Sequence, residues 1–307
     1  MNVQDLISFC AIVDLDFNIS EAAASLHISQ PAVSRQIRML EKNIGAQLFF
    51  RRKKRLTGLT DAGKVTLKIA ERIKRDAREL DRIGDEFAGK NQGTLTIATT
   101  HTYARYALPA TLRKFAKLYP DVRLTIKQGN PNETASWVAS GEADLSIAME
   151  PKSKPEELVL LLFAELPRVV LVKKDHELVK KSSITLHDLA KFPIVTYNSA
   201  FPARAKTLQT FEKQRIKPNI LLSATDADVI KTYVREGLGI AIVSALAYLP
   251  NEDRDLHCIS AKHLFESFKI YIGLRKQSFP RRYILHFIEM FAPKLTRKAV
   301  VKALGAA

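Results

Sequence analysis

A stretch of 27 residues, Asp61 to Phe87, contains no proline and only two glycines, and it separates two differently patterned parts of the chain. Such a stretch is typical of one long helix, because proline interrupts helices. Before it, apolar residues recur at helical spacing, and after it short apolar runs alternate with helical stretches. The sequence therefore predicts an N-terminal domain over residues 1–60, a linker helix and hinge over 61–92, and a C-terminal domain over 93–307.

Charge and hydropathy restrict the class of protein. The 307 residues carry a formal net charge of +16 at pH 7, which favours an anionic partner such as nucleic acid. No apolar run approaches the ~20 residues that span a bilayer. The first residues also lack the basic start and apolar stretch of a signal peptide. We therefore expect a cytoplasmic protein with no membrane contact.

Sequence motifs give no support for catalysis or for a bound metal. Cys10 and Cys258 are too few for a disulfide framework, and His257, Cys258 and His263 match no standard zinc spacing. A nucleophile elbow, a P-loop, an HExxH motif and a complete GxGxxG motif are all missing from the sequence. His101 has no catalytic partner at a suitable spacing. We expect no enzyme activity, no metal and no cofactor.

The first 45 residues predict three helices. A first helix is followed by a short alanine-rich helix with Ser20 as its N-cap, and Ser29 caps a third helix from Pro31 to about Ile44. The apolar face of that third helix consists of Val33, Ile37, Leu40 and Ile44. A short helix, a tight turn and a helix with basic residues in its early turns form a helix-turn-helix, whose second helix enters the major groove.

The solvent-facing side of the third helix carries the residues that we expect to contact DNA. Gln30, Ser34 and Arg35 are expected at base edges and Arg38 at a phosphate. After Gly45, two short apolar strands flank a basic run, which predicts a β-hairpin wing for the DNA backbone. The predicted DNA-binding set is Ser29, Gln30, Pro31, Ser34, Arg35, Arg38, Arg51, Arg52, Lys53, Lys54 and Arg55. An ordinary three-helix core with a solvated face is the alternative.

Several of these motifs together resemble the LysR family of regulators. The resemblance rests on Ser20 to Ala24, Ser29 to Ile37, Leu48-Phe49 and Leu59 to Gly63, in order and at the family spacing. It implies a winged helix-turn-helix, a linker helix and a two-lobed α/β effector domain that resembles periplasmic binding proteins. It also implies double-stranded promoter DNA, RNA polymerase and a small effector as partners, and a homotetramer built as a dimer of dimers.

The linker helix carries a pattern of small and apolar residues at three- and four-residue spacing, which is typical of a two-stranded coiled coil. The predicted seam consists of Ala70, Ile73, Ala77, Leu80, Gly84 and Phe87. A dimer formed along it would place two recognition helices on two half-sites. Packing of a single helix on its own domain is the alternative. The polar run 89–93 is expected to be a hinge.

The C-terminal domain alternates strand and helix patterns, which predicts parallel sheet covered by helices. We expect two α/β lobes, lobe I over about 93–163 and 265–292 and lobe II over about 164–264. Ligands of open α/β sheets bind beyond the carboxyl ends of the strands. The first such end is the polar run Thr99 to Tyr103, directly before a helix.

Two long runs, Thr99 to Pro109 and Ala224 to Gly239, resemble the CysB branch of the family. This resemblance implies control of sulfur-assimilation or sulfonate-use genes in response to sulfate-like anions or acetylated serine derivatives. At the positions that form the sulfate site in that branch, this chain has the less polar residues Tyr103, Met149 and Pro202. Thr100 and Thr102 remain at the other positions. The predicted effector-binding set is Thr100, Thr102, Tyr103, Met149, Pro202 and Thr225. Because burial of an uncompensated anion is costly, we expect weaker binding of bare sulfate than in the sulfate-responsive members of that branch.

Other functions remain alternatives at this point. A LysR-type regulator of another pathway, with a non-sulfur ligand, fits the same motifs. A solute-binding protein would account for the C-terminal domain alone and would need a signal peptide, and an enzyme would need a catalytic motif. Gene activation is the expected mode, while repression stays open.

Overall fold

The computed structural model describes residues 2–52, 55–87 and 92–305. The chain divides into two compact units, Met1–Lys90 and Asn91–Ala307, and each has a hydrophobic core of its own. In the described part of the chain, no helix is long and apolar enough to cross a membrane.

Three helices open the N-terminal unit: α1 (Val3–Asp14), α2 (Ile19–Ser25) and α3 (Gln30–Ile44). Ser29 caps α3 as predicted, and its side-chain oxygen accepts a hydrogen bond from the backbone of Ala32. The predicted cap of α2 is wrong, because Asn18 caps that helix through the backbone N–H groups of Ser20 and Glu21. The amide oxygen of Asn18 competes for the same N–H groups two residues earlier, so Ser20 lies inside the helix.

The wing is formed by the antiparallel strands β1 (Phe49–Arg52) and β2 (Arg55–Leu59), with Arg52 paired to Arg55. The basic run therefore includes residues of both strands and is not confined to the tip of the wing. Lys53 and Lys54 lie outside the described residues. Phe49 attaches the wing to the helices, since its ring centroid lies 5.1 Å from that of Phe9 in the core.

The linker helix α4 (Asp61–Phe87) has the predicted bounds. The predicted seam is wrong at its start. Ala70 is fully buried and Ile73 packs against the core of the N-terminal unit, because the first half of α4 packs on α1. Close packing also explains Gly63, where a Cβ would lie 2.1 Å from the carbonyl oxygen of Leu48.

Another face of α4 exposes large apolar side chains. Val65, Ile69 and Leu80 are 62%, 45% and 71% exposed. At 100° per residue, these three positions fall within about 60° of one another around the helix. We call them the α4 stripe. The side chains of residues 81–87 are not described, so Gly84 and Phe87 of the predicted seam are outside this comparison.

The C-terminal unit contains ten strands and eight helices within the described residues. In chain order they are β3 (Gly93–Thr99), α5 (His101–Tyr106), α6 (Leu108–Leu118), β4 (Val122–Gln128), α7 (Pro131–Ala139), β5 (Leu145–Met149), β6 (Leu158–Leu166), β7 (Arg168–Lys173), α8 (Leu186–Ala190), β8 (Pro193–Tyr197), α9 (Pro202–Lys213), β9 (Asn219–Ala224), α10 (Ala227–Arg235), β10 (Ile240–Ser244), β11 (Leu256–Ser260), β12 (Phe268–Arg275), α11 (Arg282–Phe291) and α12 (Arg297–Leu304).

The strands form two five-stranded sheets, one in each lobe. Lobe I has the order β4-β3-β5-β12-β6 and lobe II the order β11-β7-β10-β8-β9. The chain passes from lobe I to lobe II at Pro167, between β6 and β7, and returns between β11 and β12. The two-lobed α/β fold is confirmed. Each sheet is mixed, however, and not purely parallel as the alternating pattern predicts.

The antiparallel strands account for that difference. In lobe I, β12 runs antiparallel to β5 and β6, and in lobe II, β7 runs antiparallel to β10 and β11. The strands β6 and β11 are not predicted from the sequence. The run of apolar residues in β6 does not alternate with polar residues, and without that alternation a strand is not distinguished from a buried helix. The helix that is predicted after the polar run Thr99 to Tyr103 forms as two helices, which meet at Ala107.

Candidate functional site

The recognition helix α3 has one buried and one exposed face. Val33, Ile37 and Leu40 are at most 2% exposed and fix the helix on the core, whereas Ile44, predicted for the same face, is 38% exposed. The predicted DNA-binding residues of this region are all at least partly accessible. Ser34 is half-buried, and the exposed members are Ser29, Gln30, Pro31, Arg35 and Arg38.

Glu41 connects the recognition helix to the wing. Its carboxylate accepts a hydrogen bond from the backbone N–H of Leu48 and one from Arg51, both at 3.0 Å. Arg51 is therefore ion-paired within the domain and has less charge available for a phosphate. Arg52 and Arg55 are exposed on the paired strands. The wing thus presents two solvent-facing guanidinium groups beside α3.

The second candidate site is a cleft between the two lobes, where strands of both sheets end. The carboxyl ends of β3, β5, β8 and β10 all contribute, which is the position expected for a ligand of α/β sheets. The first compartment is narrow, with a cavity volume of about 40 Å³, below the ~300–1,000 Å³ typical of ligand pockets, so a ligand would have to extend beyond it. Its lining residues are Thr100, His101, Thr102, Tyr103, Pro131, Met149, Tyr197, Phe201, Ala203, Thr225, Ser244 and Phe268.

A second, larger and more polar compartment of about 340 Å³ lies next to the first. His101, Phe201 and Thr225 line both compartments. The other lining residues of the second compartment are Gln128, Gly129, Asn130, Glu133, Asn198, Ala200 and Asp226. The cleft therefore combines an inner region of hydroxyl and apolar groups with an outer region of amides and carboxylates.

Most of the predicted effector residues meet in the first compartment. The five that line it are Thr100, Thr102, Tyr103, Met149 and Thr225. Pro202 is not among the lining residues. It is buried as the first residue of α9, whose neighbours Phe201 and Ala203 face the cleft. Successive residues of a helix point about 100° apart, so adjacent positions face different surroundings.

Several lining residues escape the sequence analysis. Tyr197 and Ser244 end β8 and β10, so the preference of ligands for the carboxyl ends of strands, which selects Thr100, also applies to them. His101 belongs to the polar run at the end of β3 but is not in the predicted effector-binding set. Phe268 comes from the strand that returns to lobe I, and no local signal connects it to the cleft.

The cleft hydroxyls are neutral donors and acceptors. Burial raises the pKa of Tyr103 far above its usual value. Burial also raises the pKa of Tyr197 to about 12, although a hydrogen bond from Thr102 opposes this. Both phenols therefore keep their protons at neutral pH. Thr100 precedes α5 but makes no side-chain capping bond, which leaves its hydroxyl for a ligand.

His101 is the one imidazole among the residues that line the first compartment. Its ring and the carboxylates of Asp226 and Asp228 bring three possible metal-ligand atoms within 4.8 Å of one another. Asp228 also contacts Arg105 and Lys231, so its oxygens already have cationic partners. This cluster is a salt-bridge network, and we assign no metal to it.

Known protein families match both units of this chain. Residues 3–64 match the bacterial regulatory helix-turn-helix protein family of LysR type, and residues 88–296 match the LysR substrate binding domain. The second match alone covers more than half of the chain. The chain belongs to the LysR family. It is therefore a DNA-binding, ligand-responsive transcription regulator and not an enzyme.

Relatives within the LysR family cover almost the whole chain. The HTH-type transcriptional regulator SsuR of Burkholderia cenocepacia is 41% identical over 99% of both chains. CysB of the same organism is 41% identical over 99% of this chain and 97% of the relative. The crystal structure of the cofactor-binding domain of the Cbl regulator superposes on 70% of this chain and 95% of its own, with a TM-score of 0.67 and 36% identity. These matches confirm the resemblance to the CysB branch.

Proposed function

We propose that this LysR-family regulator controls genes of sulfur assimilation or sulfonate use, and that its effector is a small sulfur-containing or acetylated-serine anion held between the two lobes. The observation that supports this proposal most directly is the lining of the first compartment. Thr100 and Thr102 lie there, directly after β3, among other hydroxyl and apolar groups. The similarity to SsuR, CysB and Cbl supports the pathway.

In this proposal, α3 reads the promoter from the major groove. Gln30, Ser34 and Arg35 contact base edges, and Arg38 contacts a phosphate. The wing adds phosphate contacts through Arg52 and Arg55. Arg51 contributes less because its guanidinium is ion-paired with Glu41. Backbone and base contacts have different salt and sequence dependences, so they are separable by experiment.

A gel-shift assay with salt titration tests the DNA interface. Arg35→Ala is expected to weaken specific binding by about 1–3 kcal/mol and to relax sequence preference. Arg52→Ala is expected to weaken binding to all sequences and to reduce the salt slope by about one. Lys117→Ala, on α6 of the C-terminal unit, is the matched control. Equal losses for Arg35→Ala on specific and random DNA would contradict the base contact.

The composition of the cleft determines the effector chemistry that we propose. Met149 and Tyr103 bring a thioether and a ring to the lining that also contains the two threonines. Only neutral groups and His101 face a bound anion in the first compartment, so a bare sulfate would lose more hydration than it regains. A larger anion with an apolar part would place its carbon chain against Met149, Phe201 and Phe268.

Titration calorimetry with sulfate tests this chemistry. Met149→Thr adds a hydroxyl donor to the first compartment and is expected to tighten sulfate binding about tenfold, since a hydrogen bond to a charged group contributes about 1.5–3 kcal/mol. Met290→Thr, outside the cleft, is the control. Tight sulfate binding by the unmodified protein would contradict the proposed preference for a larger anion.

We further propose that the protein acts in the cytoplasm as a homo-oligomer, a dimer of dimers, that activates transcription through RNA polymerase. The α4 stripe supports dimerisation, because three large apolar side chains on one face have no cover within the N-terminal unit. Leu80→Asp is expected to raise the dimer dissociation constant more than tenfold in sedimentation experiments. Lys68→Asp, an exposed residue outside the stripe, is expected to have little effect.

The pathway is tested in cells. Chromatin occupancy measured during growth on sulfate and on a sulfonate is expected to change at genes for sulfur uptake or sulfonate use. The second candidate function is LysR-type control of another pathway with a non-sulfur ligand. Occupancy that is independent of the sulfur source would favour that candidate.

A further inference from the structure

The carboxylate of Asp228 connects the two lobes beside the cleft. Asp228 lies in the first turn of α10 in lobe II and contacts three side chains of α5 in lobe I. His101 Nε2 lies 2.8 Å from Asp228 Oδ2. The hydroxyl of Tyr106 donates to Oδ1 at 2.5 Å, and Arg105 Nε lies 3.3 Å from Oδ1. These contacts join elements more than 120 residues apart in the sequence.

A buried lysine anchors this cross-lobe network in lobe II. Lys231 is 2% exposed, and its ammonium donates to the hydroxyl of Tyr106 at 2.8 Å and to both oxygens of the buried Asp253 at 3.0 and 3.1 Å. Arg235 also binds Asp253. The network therefore extends from the cleft into the interior of lobe II, where ion pairs are screened less by salt than on the surface.

The protonation of the network fits its geometry. Burial alone would raise the pKa of Asp228. Hydrogen bonds from Tyr106 and His101, together with the charges of Lys231 and Arg105, hold that pKa below its usual value instead. Asp228 is thus an ionised acceptor at neutral pH, and a charged acceptor makes stronger hydrogen bonds than a neutral one.

His101 is the member of the network that faces the ligand site. It lines both compartments of the cleft. Nδ1 lies 3.3 Å from Gln128 Oε1 and Nε2 contacts Asp228, so both ring nitrogens have partners and the ring has a fixed orientation. Two further contacts cross between the lobes, and both involve exposed groups. Arg105 lies 3.4 Å from Glu252, and Lys152 Nζ donates to the carbonyl oxygen of Ser199 at 2.6 Å.

We propose that Asp228 is a positioning residue of the effector cleft, which fixes His101 against both compartments and ties lobe II to α5 of lobe I. Effector binding and the relative position of the lobes then depend on the same carboxylate. A ligand that contacts His101 changes its bond to Asp228 and so reaches the cross-lobe network directly. The affinity part of this inference rests on the proposed function, since it requires an effector in the cleft.

Hydrogen exchange of the ligand-free full chain tests the cross-lobe tie. Asp228→Asn keeps the shape of the side chain but removes its charge. We expect amide exchange in α5, on the opposite lobe, to become at least fivefold faster. The control is Asp255→Asn, which breaks an ion pair with Arg235 inside lobe II and is expected to leave α5 unchanged. An unchanged rate of amide exchange in α5 of the Asp228→Asn variant would contradict the proposal that Asp228 connects the two lobes.

A double-mutant cycle tests the positioning role, with ethanesulfonate and sulfate as the calorimetric probes. Asp228→Asn is expected to weaken the better-bound probe about tenfold. In a His101→Ala background the same change is expected to alter affinity less than twofold, because Asp228 then has no ring to position. Additive losses would overturn the positioning role. If the unmodified protein binds neither probe, the proposed effector class fails, while the exchange experiment still decides the tie.

Discussion

At the scale of single residues, Asp188 shows how a carboxylate stabilises this fold. It lies in the first turn of α8 and accepts hydrogen bonds from the backbone N–H and hydroxyl of Thr185, at 3.0 and 2.8 Å. Lys181 donates to its other oxygen at 2.5 Å. The hydrogen bonds from Lys181 and Thr185 lower the pKa of Asp188 to about 2.

This lowered pKa predicts a loss of stability in acid. The folded-state pKa is below the ordinary value of 3.8, so the contribution of Asp188 is fully present above about pH 4 and is lost as the pH falls towards 2. Asp188→Asn is expected to lower the free energy of unfolding at pH 6. The difference from the unmodified protein is expected to shrink as the pH falls towards 2. Urea unfolding at a series of pH values measures it. A deficit that is constant with pH would contradict the assignment.

Arg168 is a different case, because it is a buried cation with little compensation. It is 1% exposed, one of its terminal nitrogens donates to Thr207 at 3.1 Å, and its Nε has no hydrogen-bond partner among the described atoms. Burial lowers the pKa of Arg168 to about 10. The guanidinium lies 4.3 Å from the ring centroid of Phe268, which lines the cleft.

The burial of Arg168 predicts that its volume contributes more to stability than its charge. Arg168→Met fills similar space without a charge to desolvate and is expected to change the free energy of unfolding by less than about 1 kcal/mol. Arg168→Ala leaves a cavity and is expected to cost about 2–5 kcal/mol. Thr207 keeps a partner in both variants, the carbonyl oxygen of Ala203. Equal losses for both variants in denaturant unfolding would refute this prediction.

At the scale of elements, the N-terminal unit depends on the contact between the wing and the linker helix. The carbonyl oxygen of Leu48, just before β1, accepts a hydrogen bond from Thr60 and lies where a side chain at position 63 would begin. A glycine at this position lets α4 start against the wing. The angle at which the wing leaves the domain is therefore set by backbone contact.

Two glycines provide a matched test of that contact. Gly63→Ala puts a Cβ 2.1 Å from the Leu48 oxygen and is expected to cost at least about 2 kcal/mol, since the backbone must shift. Gly45 has a φ of +76° but open space around it, so Gly45→Ala is expected to cost about 1 kcal/mol through backbone strain alone. Thermal unfolding of the two variants gives the comparison. A smaller loss for Gly63→Ala than for Gly45→Ala would rule out the steric argument.

At the scale of the whole molecule, two separate cores predict two unfolding events. Phe9 belongs to the core of the N-terminal unit and Phe287 to that of the C-terminal unit, and both are fully buried. Phe9→Ala and Phe287→Ala are each expected to destabilise one unit by about 3–5 kcal/mol. Differential scanning calorimetry should show one lowered transition in each variant. A single transition that both substitutions lower would show that the units unfold together.

Sequence patterns predict local features well where one interaction decides the outcome. Ser29 caps α3 and Gly45 ends it, because a capping oxygen and a left-handed glycine act within one helical turn. Asn18 and Ser20 are two competent caps in one loop, and their order of preference depends on the backbone path, so that prediction is wrong. The seam of α4 is wrong at Ala70 for a related reason, since spacing identifies an apolar face but not its partner.

The amino-acid sequence by itself determined the division of the chain, the recognition helix, the bounds of α4 and the strand-end threonines, because these follow from spacing, capping and composition. Only the tertiary structure decided that Glu41 forms an ion pair with Arg51, that Pro202 is buried beside the cleft, and that Phe268 lines the cleft. It also brought Asp228 to His101. Contacts of this kind join residues that are far apart in the chain, and their geometry depends on how both sheets pack, which no local pattern encodes.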